Sequence, residues 1–368
     1  MNGATPSDKN SARAAALGPA LVAWQRRHGR HDLPWQVKRS AYRVWVSEVM
    51  LQQTQVSTVI GYFERFMTRF PDVRALADAA SDDVLHLWTG LGYYARARNL
   101  HRAARMICEQ HDGELPRDYA AMVSLPGIGR STAGAILAIA WQQRHAILDG
   151  NVKRVLTRVF AIEGSPATRA VEAQLWQLAE HCTPNEEVDH YTQAIMDLGA
   201  TLCTRRGPAC TVCPIAPLCL AAMQGRQHEF PAAKAAGRIR KPRRRDRCVM
   251  LLASDLEGRV LLEQRPARGI WGGLWSLPQF QNEAAARLAA SRRLCEPDVD
   301  ARPMSAVRHV FTHFDLEILP LRVKCSGPAT AVADTTGANL WYNPREPQRV
   351  GLPAPVKALI DQLDREVC

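Results

Sequence analysis

Residues 125–136 read LPGIGRSTAGAI, which predicts two helices joined by a tight glycine turn. We expect the first helix to end near Ser124 and the second to begin near Arg130. Gly127 and Gly129 leave backbone N–H groups open at the positive end of the second helix, a geometry that binds phosphate without reading base sequence. A plain loop is the alternative for any glycine turn, but the order hydrophobic-Pro-Gly-hydrophobic-Gly favours DNA. The predicted DNA-backbone contact comprises Leu125, Gly127, Gly129, Arg130 and Ser131.

The composition indicates a globular protein with a polyanionic partner. The 368 residues carry 47 Lys+Arg against 36 Asp+Glu, a net charge of +11, and 46% of them are hydrophobic. The hydrophobic content argues against wholesale disorder, and the charge favours nucleic acid as the partner. Because no apolar run is long enough for a membrane span and no secretory signal is recognisable, we expect a cytoplasmic protein. We further expect a monomer that associates with the bacterial nucleoid.

The spacing of apolar residues changes once along the chain. It is helical from about residue 19 to 224, and the predicted helices cover 42–56, 73–88, 95–110 and 130–142. Residues 231–247 are rich in Lys and Arg with little apolar content, which indicates a basic linker. Beyond the linker, the predicted strands are 248–254, 259–264 and 311–323, with a turn at 255–258. Residues 1–18, rich in Ala, Ser and Asn, are interpreted as a disordered tail.

Four of the ten cysteines crowd into one loop, spaced C-x6-C-x2-C-x5-C. They are Cys203, Cys210, Cys213 and Cys219. Four thiolates at this spacing can hold a [4Fe–4S] cluster or a tetrahedral zinc, and plain structural cysteines are a third possibility. Zinc usually takes two well-separated C-x2-C pairs, so the single pair here favours iron–sulfur. Arg205 and Arg206 lie inside the loop and are expected to face phosphate.

Glu48 and Asp149 are the candidate catalytic carboxylates. Glu48 falls on a predicted helix among apolar residues, where burial should raise its pKa and keep it protonated. Such an acid can protonate a leaving group while a second carboxylate stabilises positive charge. Each residue also has a structural alternative: Glu48 could be half of a buried ion pair, and Asp149 could be a helix N-cap. When each residue is considered without its surrounding motif, these structural interpretations are favoured.

Four segments resemble, in order, segments of the MutY family of adenine DNA glycosylases. They are SEVMLQQTQV at 47–56, LWTGLGYYARARNL at 87–100, LPGIGRSTAGAI at 125–136 and ILDGNVKRVL at 147–156. The cysteine loop is similar to the iron–sulfur loop of endonuclease III and MutY glycosylases. Further on, GIWGGLWSLPQF at 269–280 and FTHF at 311–314 resemble the family's MutT-like domain.

The resemblance implies a multidomain protein. An all-α helix-hairpin-helix glycosylase domain at 19–230, with an iron–sulfur cluster loop, is followed by an α+β MutT (Nudix)-like lesion-recognition domain at 248–368. The first domain would comprise a six-helix module at about 35–144 and a cluster module made of the N-terminal helix and about 145–225, with DNA in the cleft between them. The implied cofactor is one [4Fe–4S] cluster, and the implied partner is double-stranded DNA with A·8-oxoguanine or A·G mispairs.

Roles follow from the resemblance, position by position. Glu48 matches the general acid that protonates the leaving adenine, and Asp149 matches the carboxylate that stabilises the oxocarbenium-like sugar. The residues matched to duplex intercalation and the base pocket are Gln53, Tyr93, Trp35, Gln193 and Leu51. Thr312 and His313 match the loop that reads the oxidised guanine, with Thr in place of Ser. His31 stands where relatives have Arg or Lys, so that contact departs from the pattern.

Ser131 stands where bifunctional relatives carry a lysine nucleophile. Serine cannot form a Schiff base, which implies a monofunctional enzyme that leaves an abasic site. Lys153 matches a family lysine that the chemistry does not require. The alternatives are a glycosylase for oxidised pyrimidines or G·T thymine, and a catalytically silent damage sensor. A nucleotide pyrophosphohydrolase is disfavoured, because residues 279–287 and the helix after them offer Glu283 and no Glu-rich metal box.

Overall fold

The computed structural model describes residues 6–232, 243–294, 300–325 and 338–367. These residues belong to two compact units. The helical unit comprises Met1–Asp78 and Asn99–Ile239, and the mixed unit comprises Ala79–Arg98 and Arg240–Cys368. Within the described ranges, no helix combines the length and the apolar character that a membrane crossing requires.

Fourteen α-helices lie in the described residues. They are α1 Pro6–His28, α2 Ala41–Leu51, α3 Val56–Arg69, α4 Val73–Ala77, α5 Ser81–Leu87, α6 Ala95–Gln110, α7 Tyr119–Ser124, α8 Arg130–Trp141, α9 Gly150–Val159, α10 Arg169–Cys182, α11 Val188–Thr201, α12 Leu220–Met223, α13 Glu283–Leu294 and α14 Ala354–Val367. Two short 3-10 helices, Cys210–Val212 and Ala216–Leu218, lie in the cysteine loop. The predicted helices at 95–110 and 130–142 are confirmed as α6 and α8.

Helix α8 is the centre of the helical unit. Every residue from Ala133 to Ile139 is buried, so the helix is apolar on all sides and packs against α2, α7 and α11. Gly134 lets the chain after the helix approach closely, because a Cβ there would lie 2.6 Å from the carbonyl oxygen of Ala146. That approach fixes the position of residues 146–149, which lead into α9.

Three predictions about the helical segments are wrong. The predicted tail is helical from Pro6, since Ala14, Leu17 and Leu21 form a buried stripe at helical spacing. The helix predicted at 42–56 ends at Leu51, and Gln53 adopts a left-handed backbone with φ of 59° that no helix continues through. The helix predicted at 73–88 is two helices, α4 and α5, separated after Asp78.

The mixed unit is built on one twisted sheet. Its strands are β1 Arg244–Ser254, β2 Val260–Gln264, β3 Trp275–Ser276, β4 Gln279–Phe280, β5 Ala301–Pro303, β6 Val307–Val310, β7 Phe314–Lys324 and β8 Asn339–Tyr342. The order is β3-β2-β1-β7-β5, with β4 paired to β1, β6 to β7 and β8 to β2. The long β1 and β7 run parallel over their whole length. Helix α13 packs on them through Ala286 and Ala290, which closes the core.

The two boundaries of the mixed unit differ from the predicted ones. Residues 244–247 of the predicted linker are strand, because β1 pairs with β7 from Arg244 onward, and residues 233–242 lie outside the described residues. Residues 79–98, predicted as part of the all-α domain, pack within the mixed unit. There the Trp275 indole donates to Asp82 at 3.1 Å and the Tyr94 hydroxyl donates to the Leu352 carbonyl at 2.8 Å. No pattern in residues 79–98 alone indicates these long-range partners.

The close approach at Gly134 generates a stability prediction. Gly134→Ala should cost on the order of 1–3 kcal/mol in the free energy of unfolding, because the backbone at Ala146 must move. The control is Gly61→Ala in α3, where the nearest atom to a new Cβ is the flexible end of Arg65 at 3.4 Å and helix propensity favours alanine. Urea unfolding measures both variants. Equal stability of the two would show that the approach is not required.

Candidate active site

A cleft of about 600 Å³ opens in the helical unit, within the roughly 300–1,000 Å³ usual for small-molecule sites. It is lined by α2, the first turn of α8, the start of α9 and one face of α11. The predicted site residues that it brings together are Trp35, Glu48, Leu51, Gln53, Ser131, Asp149 and Gln193. Tyr93, Thr312 and His313 belong to the mixed unit instead.

Glu48 lies on α2, which begins where the Ser40 side chain accepts a hydrogen bond from Arg43 N at 3.2 Å. Trp45, Val46 and Met50 of the same helix are fully buried, so the helix is held in the core and carries Glu48 to the cleft. Burial raises the pKa of Glu48 to about 7, and the charge of Asp149 adds to the shift. Near neutral pH a large fraction of Glu48 therefore carries a proton.

Asp149 is at once an N-cap and a lining residue of the cleft. Its Oδ1 accepts a hydrogen bond from Val152 N at 2.7 Å, which caps α9. Burial raises the pKa of Asp149, while backbone amides of Val152 and Asn151 and the positive charges of Arg154 and Lys153 oppose that rise. The amides stabilise the ionised form of Asp149. The structural and functional interpretations of this residue are therefore compatible.

The side chains of Ser131 and Lys153 each contact a neighbouring residue, through a hydrogen bond and an ion pair respectively. Ser131 Oγ accepts a hydrogen bond from Leu148 N at 2.9 Å, which fastens the first turn of α8 to the residue before Asp149. Lys153 Nζ pairs with Glu172 Oε1 at 2.6 Å. The described residues that line the cleft include no lysine.

Of the remaining pocket residues, Trp35 is held by packing and Gln193 by a hydrogen bond. Trp35 is buried with its ring edge-to-face on Phe63, centroids 5.5 Å apart. Gln53 is exposed on its left-handed backbone at the end of α2. Gln193 Nε2 donates to Asp197 Oδ1 at 2.9 Å.

Arg30 is a cation of the cleft that the sequence did not predict. Arg30 lines the cleft and pairs with the buried Asp197, whereas His31 is exposed and bonds the Gln25 carbonyl at 2.9 Å. The available signal was Asp197 itself. It lies four residues after Gln193 on the same face of a helix, and a buried carboxylate needs a cationic partner.

The glycine turn has its expected form. Gly127 has φ of 81°, and Gly129 is the N-cap of α8, where a Cβ would meet nothing within 4 Å. Leu125 is buried and accepts from Ile128 N at 3.1 Å, which closes the turn. Arg130 stacks on Trp176, 3.7 Å from the ring centroid, and pairs with Glu180 at 3.0 Å. A phosphate at the start of α8 would therefore compete with Glu180 for this guanidinium.

A second cavity, in the mixed unit, brings Tyr93 together with Thr312 and His313. Residues 311–314 form the tight turn between β6 and β7, in which Phe311 N donates to the Phe314 carbonyl at 2.9 Å. The two phenylalanine rings stack at 4.6 Å and leave Thr312 and His313 exposed at the tip. The strand predicted at 311–323 therefore begins three residues later, at Phe314. Tyr93 is 48% exposed on a backbone with φ of 50°.

The four clustered cysteines line one cavity beside α9. Arg158, which is buried, donates to Cys203 Sγ at 3.2 Å and to the carbonyls of Thr204 and Phe230 at 2.8 and 2.9 Å. Arg154 donates to the Cys203 carbonyl at 2.7 Å and to Asn151 Oδ1 at 2.8 Å. Among the described residues, no set of three or more His, Cys, Asp or Glu is gathered tightly enough to hold a single metal ion.

Comparisons with known proteins place this site in a family. The profile of the HhH-GPD superfamily of base excision DNA repair proteins matches residues 46–181, and that of the NUDIX domain matches residues 248–362. The adenine DNA glycosylase of Buchnera aphidicola from Acyrthosiphon pisum is 34% identical over 94% of this chain and 97% of its own length. The human adenine DNA glycosylase is 34% identical over 88% of this chain and 70% of its own length.

The chain belongs to the adenine DNA glycosylase family. It is therefore a DNA glycosylase, an enzyme that acts on N-glycosyl bonds, and the predicted fold class and family are confirmed. Among solved structures, a thermostable thymine-DNA glycosylase covers 59% of this chain with a TM-score of 0.54 and 25% identity, and all of that structure is matched. An endonuclease III–DNA complex covers 58% with a TM-score of 0.50 and 19% identity, which supports the fold.

The raised pKa of Glu48 generates a prediction about stability and pH. The fold favours the protonated acid, so the stability that this preference contributes is complete below the ordinary pKa of 4.5 and is lost as pH rises to about 7. Glu48→Gln has no such loss. The difference in free energy of unfolding, variant minus wild type, should therefore increase from pH 5 to pH 8, by on the order of 3 kcal/mol at most.

Urea unfolding of both proteins at the two pH values measures this gain. Glu64→Gln, at an exposed position of α3, is the control and should track wild type at both. A difference between Glu48→Gln and wild type that is the same at pH 5 and pH 8 would contradict the raised pKa.

Proposed function

We propose that this glycosylase removes adenine mispaired with 8-oxoguanine or guanine in duplex DNA and leaves an abasic site. The observation that carries the proposal is the pairing of Glu48 and Asp149 in one cleft large enough for a flipped nucleoside. Adenine as the base removed follows from the name that the relatives share.

The two carboxylates divide the chemistry. When the bond from C1′ to the base breaks, the electron pair goes to the adenine, which leaves poorly as an anion. Glu48, protonated near neutral pH because it is buried, supplies the proton that keeps the base neutral. The sugar left behind has oxocarbenium character, and ionised Asp149 stabilises it until water adds to C1′ and loses a proton.

Release of base without strand cleavage is supported by the state of the nearby nucleophiles. Ser131 cannot form a Schiff base, and its hydroxyl oxygen is occupied by Leu148 N. Lys153 is paired with Glu172. Water is therefore the nucleophile in our proposal, and an intact strand with an abasic site is the product.

Recognition of 8-oxoguanine is assigned in this proposal to the mixed unit. Thr312 and His313 offer a hydroxyl and an imidazole at the tip of a turn that Phe311 and Phe314 hold rigid. Tyr93 and Arg98 line the same cavity and supply an aromatic face and a positive charge. Such a combination suits an oxidised base with an adjacent phosphate.

The residues present fit an iron–sulfur cluster as the cofactor. All four cysteines line one cavity with mainly apolar walls, and Arg158 already donates to one of the sulfurs, as a donor to a thiolate would. Bound there, the cluster would cross-link the loop between Cys203 and Cys219 and supply a rigid support. Arg154 and Arg158 of α9 hold Cys203 against that helix, through hydrogen bonds to its carbonyl oxygen and its sulfur.

The first test is a single-turnover assay on duplexes with adenine opposite 8-oxoguanine, G, C or T. Wild type should excise adenine opposite 8-oxoguanine and G, and borohydride should trap no covalent complex. Glu48→Gln should lose at least about 100-fold in rate, since general acid catalysis supplies that much, while it still binds the mispair. Excision at wild-type rate by that variant, or release of thymine or an oxidised pyrimidine instead, would contradict the proposal.

The second test concerns the lesion. Thr312→Ala with His313→Ala should lower the preference for 8-oxoguanine over G by roughly 5- to 100-fold, because one or two hydrogen bonds to the lesion are removed. Excision from A·G should stay near the wild-type rate. The control is Thr68→Ala on α3, an exposed hydroxyl of the helical unit. If the ratio of excision rates opposite 8-oxoguanine and G is unchanged in the double variant, other residues recognise the lesion.

The third test concerns the cofactor. Purified protein should be brown and contain about four irons per chain, as a single cluster on four cysteines requires. Cys213→Ala should lose most of the iron, whereas Cys182→Ala, a buried cysteine of α10 outside the loop, should keep it. Colourless protein with one zinc per chain would refute the cluster.

A further inference from the structure

We propose that Arg30 and Asp197 are positioning residues that lock the Gln193 amide with its carbonyl oxygen toward the base pocket. The lock makes the pocket selective for a purine that carries an amino group, not a carbonyl, at position 6. This inference rests on the proposed function, since it concerns the base that the cleft receives.

The contacts of Asp197 decide which way the amide faces. Asp197 is completely buried on α11. Its Oδ1 accepts from Gln193 Nε2 and from Arg30 Nε, both at 2.9 Å, and its Oδ2 accepts from Arg30 N at 3.1 Å. An ionised carboxylate only accepts hydrogen bonds, so the group of Gln193 that faces it must be the amino group.

The other end of the amide is then left for the ligand. Gln193 and Arg30 line the cleft, whereas Asp197 does not. In the described part of the chain no hydrogen bond reaches Gln193 Oε1, so this oxygen is available as an acceptor. Rotation of the amide would set Oε1 against the carboxylate, two acceptors in contact within a buried site.

The chemistry of purines turns this orientation into selectivity. Adenine carries an exocyclic amino group that can donate to Gln193 Oε1. Hypoxanthine and guanine carry a carbonyl oxygen at the same ring position, which would repel it. If the amide could rotate, its amino group would face the pocket and favour the carbonyl purines instead.

Arg30 is the cationic partner of Asp197. Its guanidinium and its own backbone N–H both bind Asp197, which stabilises the ionised carboxylate in a buried position. Because the side chain of Arg30 emerges from the segment after α1, the lock joins that segment to α11. Neither residue needs to touch the base to act on it.

The test is Asp197→Asn, assayed by single-turnover excision of adenine, hypoxanthine and unsubstituted purine opposite G. The side-chain amide that this substitution introduces can donate to Gln193 Oε1 and so permits rotation. Relative to wild type on each base, the rate on adenine should fall about 3- to 10-fold, the loss of one neutral hydrogen bond. The rate on purine, which has no group at position 6, should stay within about twofold, and the hypoxanthine-to-adenine ratio should rise.

Asp189→Asn is the matched control. Asp189 lies on the same helix, is buried and pairs with Arg39 at 2.9 Å, but it does not line the cleft. It should leave all three ratios unchanged at a comparable cost in melting temperature. Arg30→Lys keeps the positive charge but loses the paired hydrogen bonds from Nε and Nη2 of the guanidinium to Asp197 Oδ1. It should shift the ratios of the excision rates in the same direction as Asp197→Asn.

The outcomes separate the two claims. If Asp197→Asn slows excision of adenine and of purine equally, the positioning role is overturned and the ion pair is purely structural. If Asp197→Asn fails to fold, unchanged rate ratios in Arg30→Lys would have the same meaning. Failure of wild type to excise adenine at all would instead overturn the proposed function.

Discussion

Two carboxylates in one buried cleft repel each other, and the way the fold separates their proton affinities governs the rest of the site. Burial raises the pKa of both carboxylates, that of Glu48 to about 7, while the amides at the start of α9 oppose the rise at Asp149. Each unit of pKa shift costs about 1.4 kcal/mol, so the core around α2 must hold Glu48 in place against that cost. Trp45 and Met50, both fully buried, anchor the helix for this purpose.

The interaction between the two carboxylates requires Asp149 to lie at the cleft, and three local features hold it there. Gly134 lets the chain at Ala146 lie against α8, Ser131 accepts from Leu148 N, and Asp149 itself caps α9. The same first turn of α8 presents the open amides after Gly129, which are suited to a phosphate. The proposed DNA contact at the hairpin and the position of Asp149 therefore depend on one helix end.

Much of this arrangement was predictable, because its determinants are local in sequence. The glycine turn, helices α6 and α8, and the grouping of Glu48, Asp149, Trp35 and Gln193 in one site follow from short motifs. Some helix boundaries failed for local reasons, such as the left-handed backbone at Gln53, and the other failures depend on distant partners. The pairing of β1 with β7 converts Arg244–Arg247 into strand, the packing of 79–98 follows from Trp275 and Leu352, and the Arg30–Asp197 pair spans 167 residues. Periodicity carries no information about such contacts.

The pH dependence of single-turnover excision tests the central claim, that Glu48 acts as a protonated acid, most directly. On a duplex with adenine opposite 8-oxoguanine, the rate constant should fall about tenfold per pH unit above pH about 7, because one proton on Glu48 is required, and it should fall again in acid as Asp149 takes up a proton. A rate constant that stays level or rises to pH 9 would contradict the account.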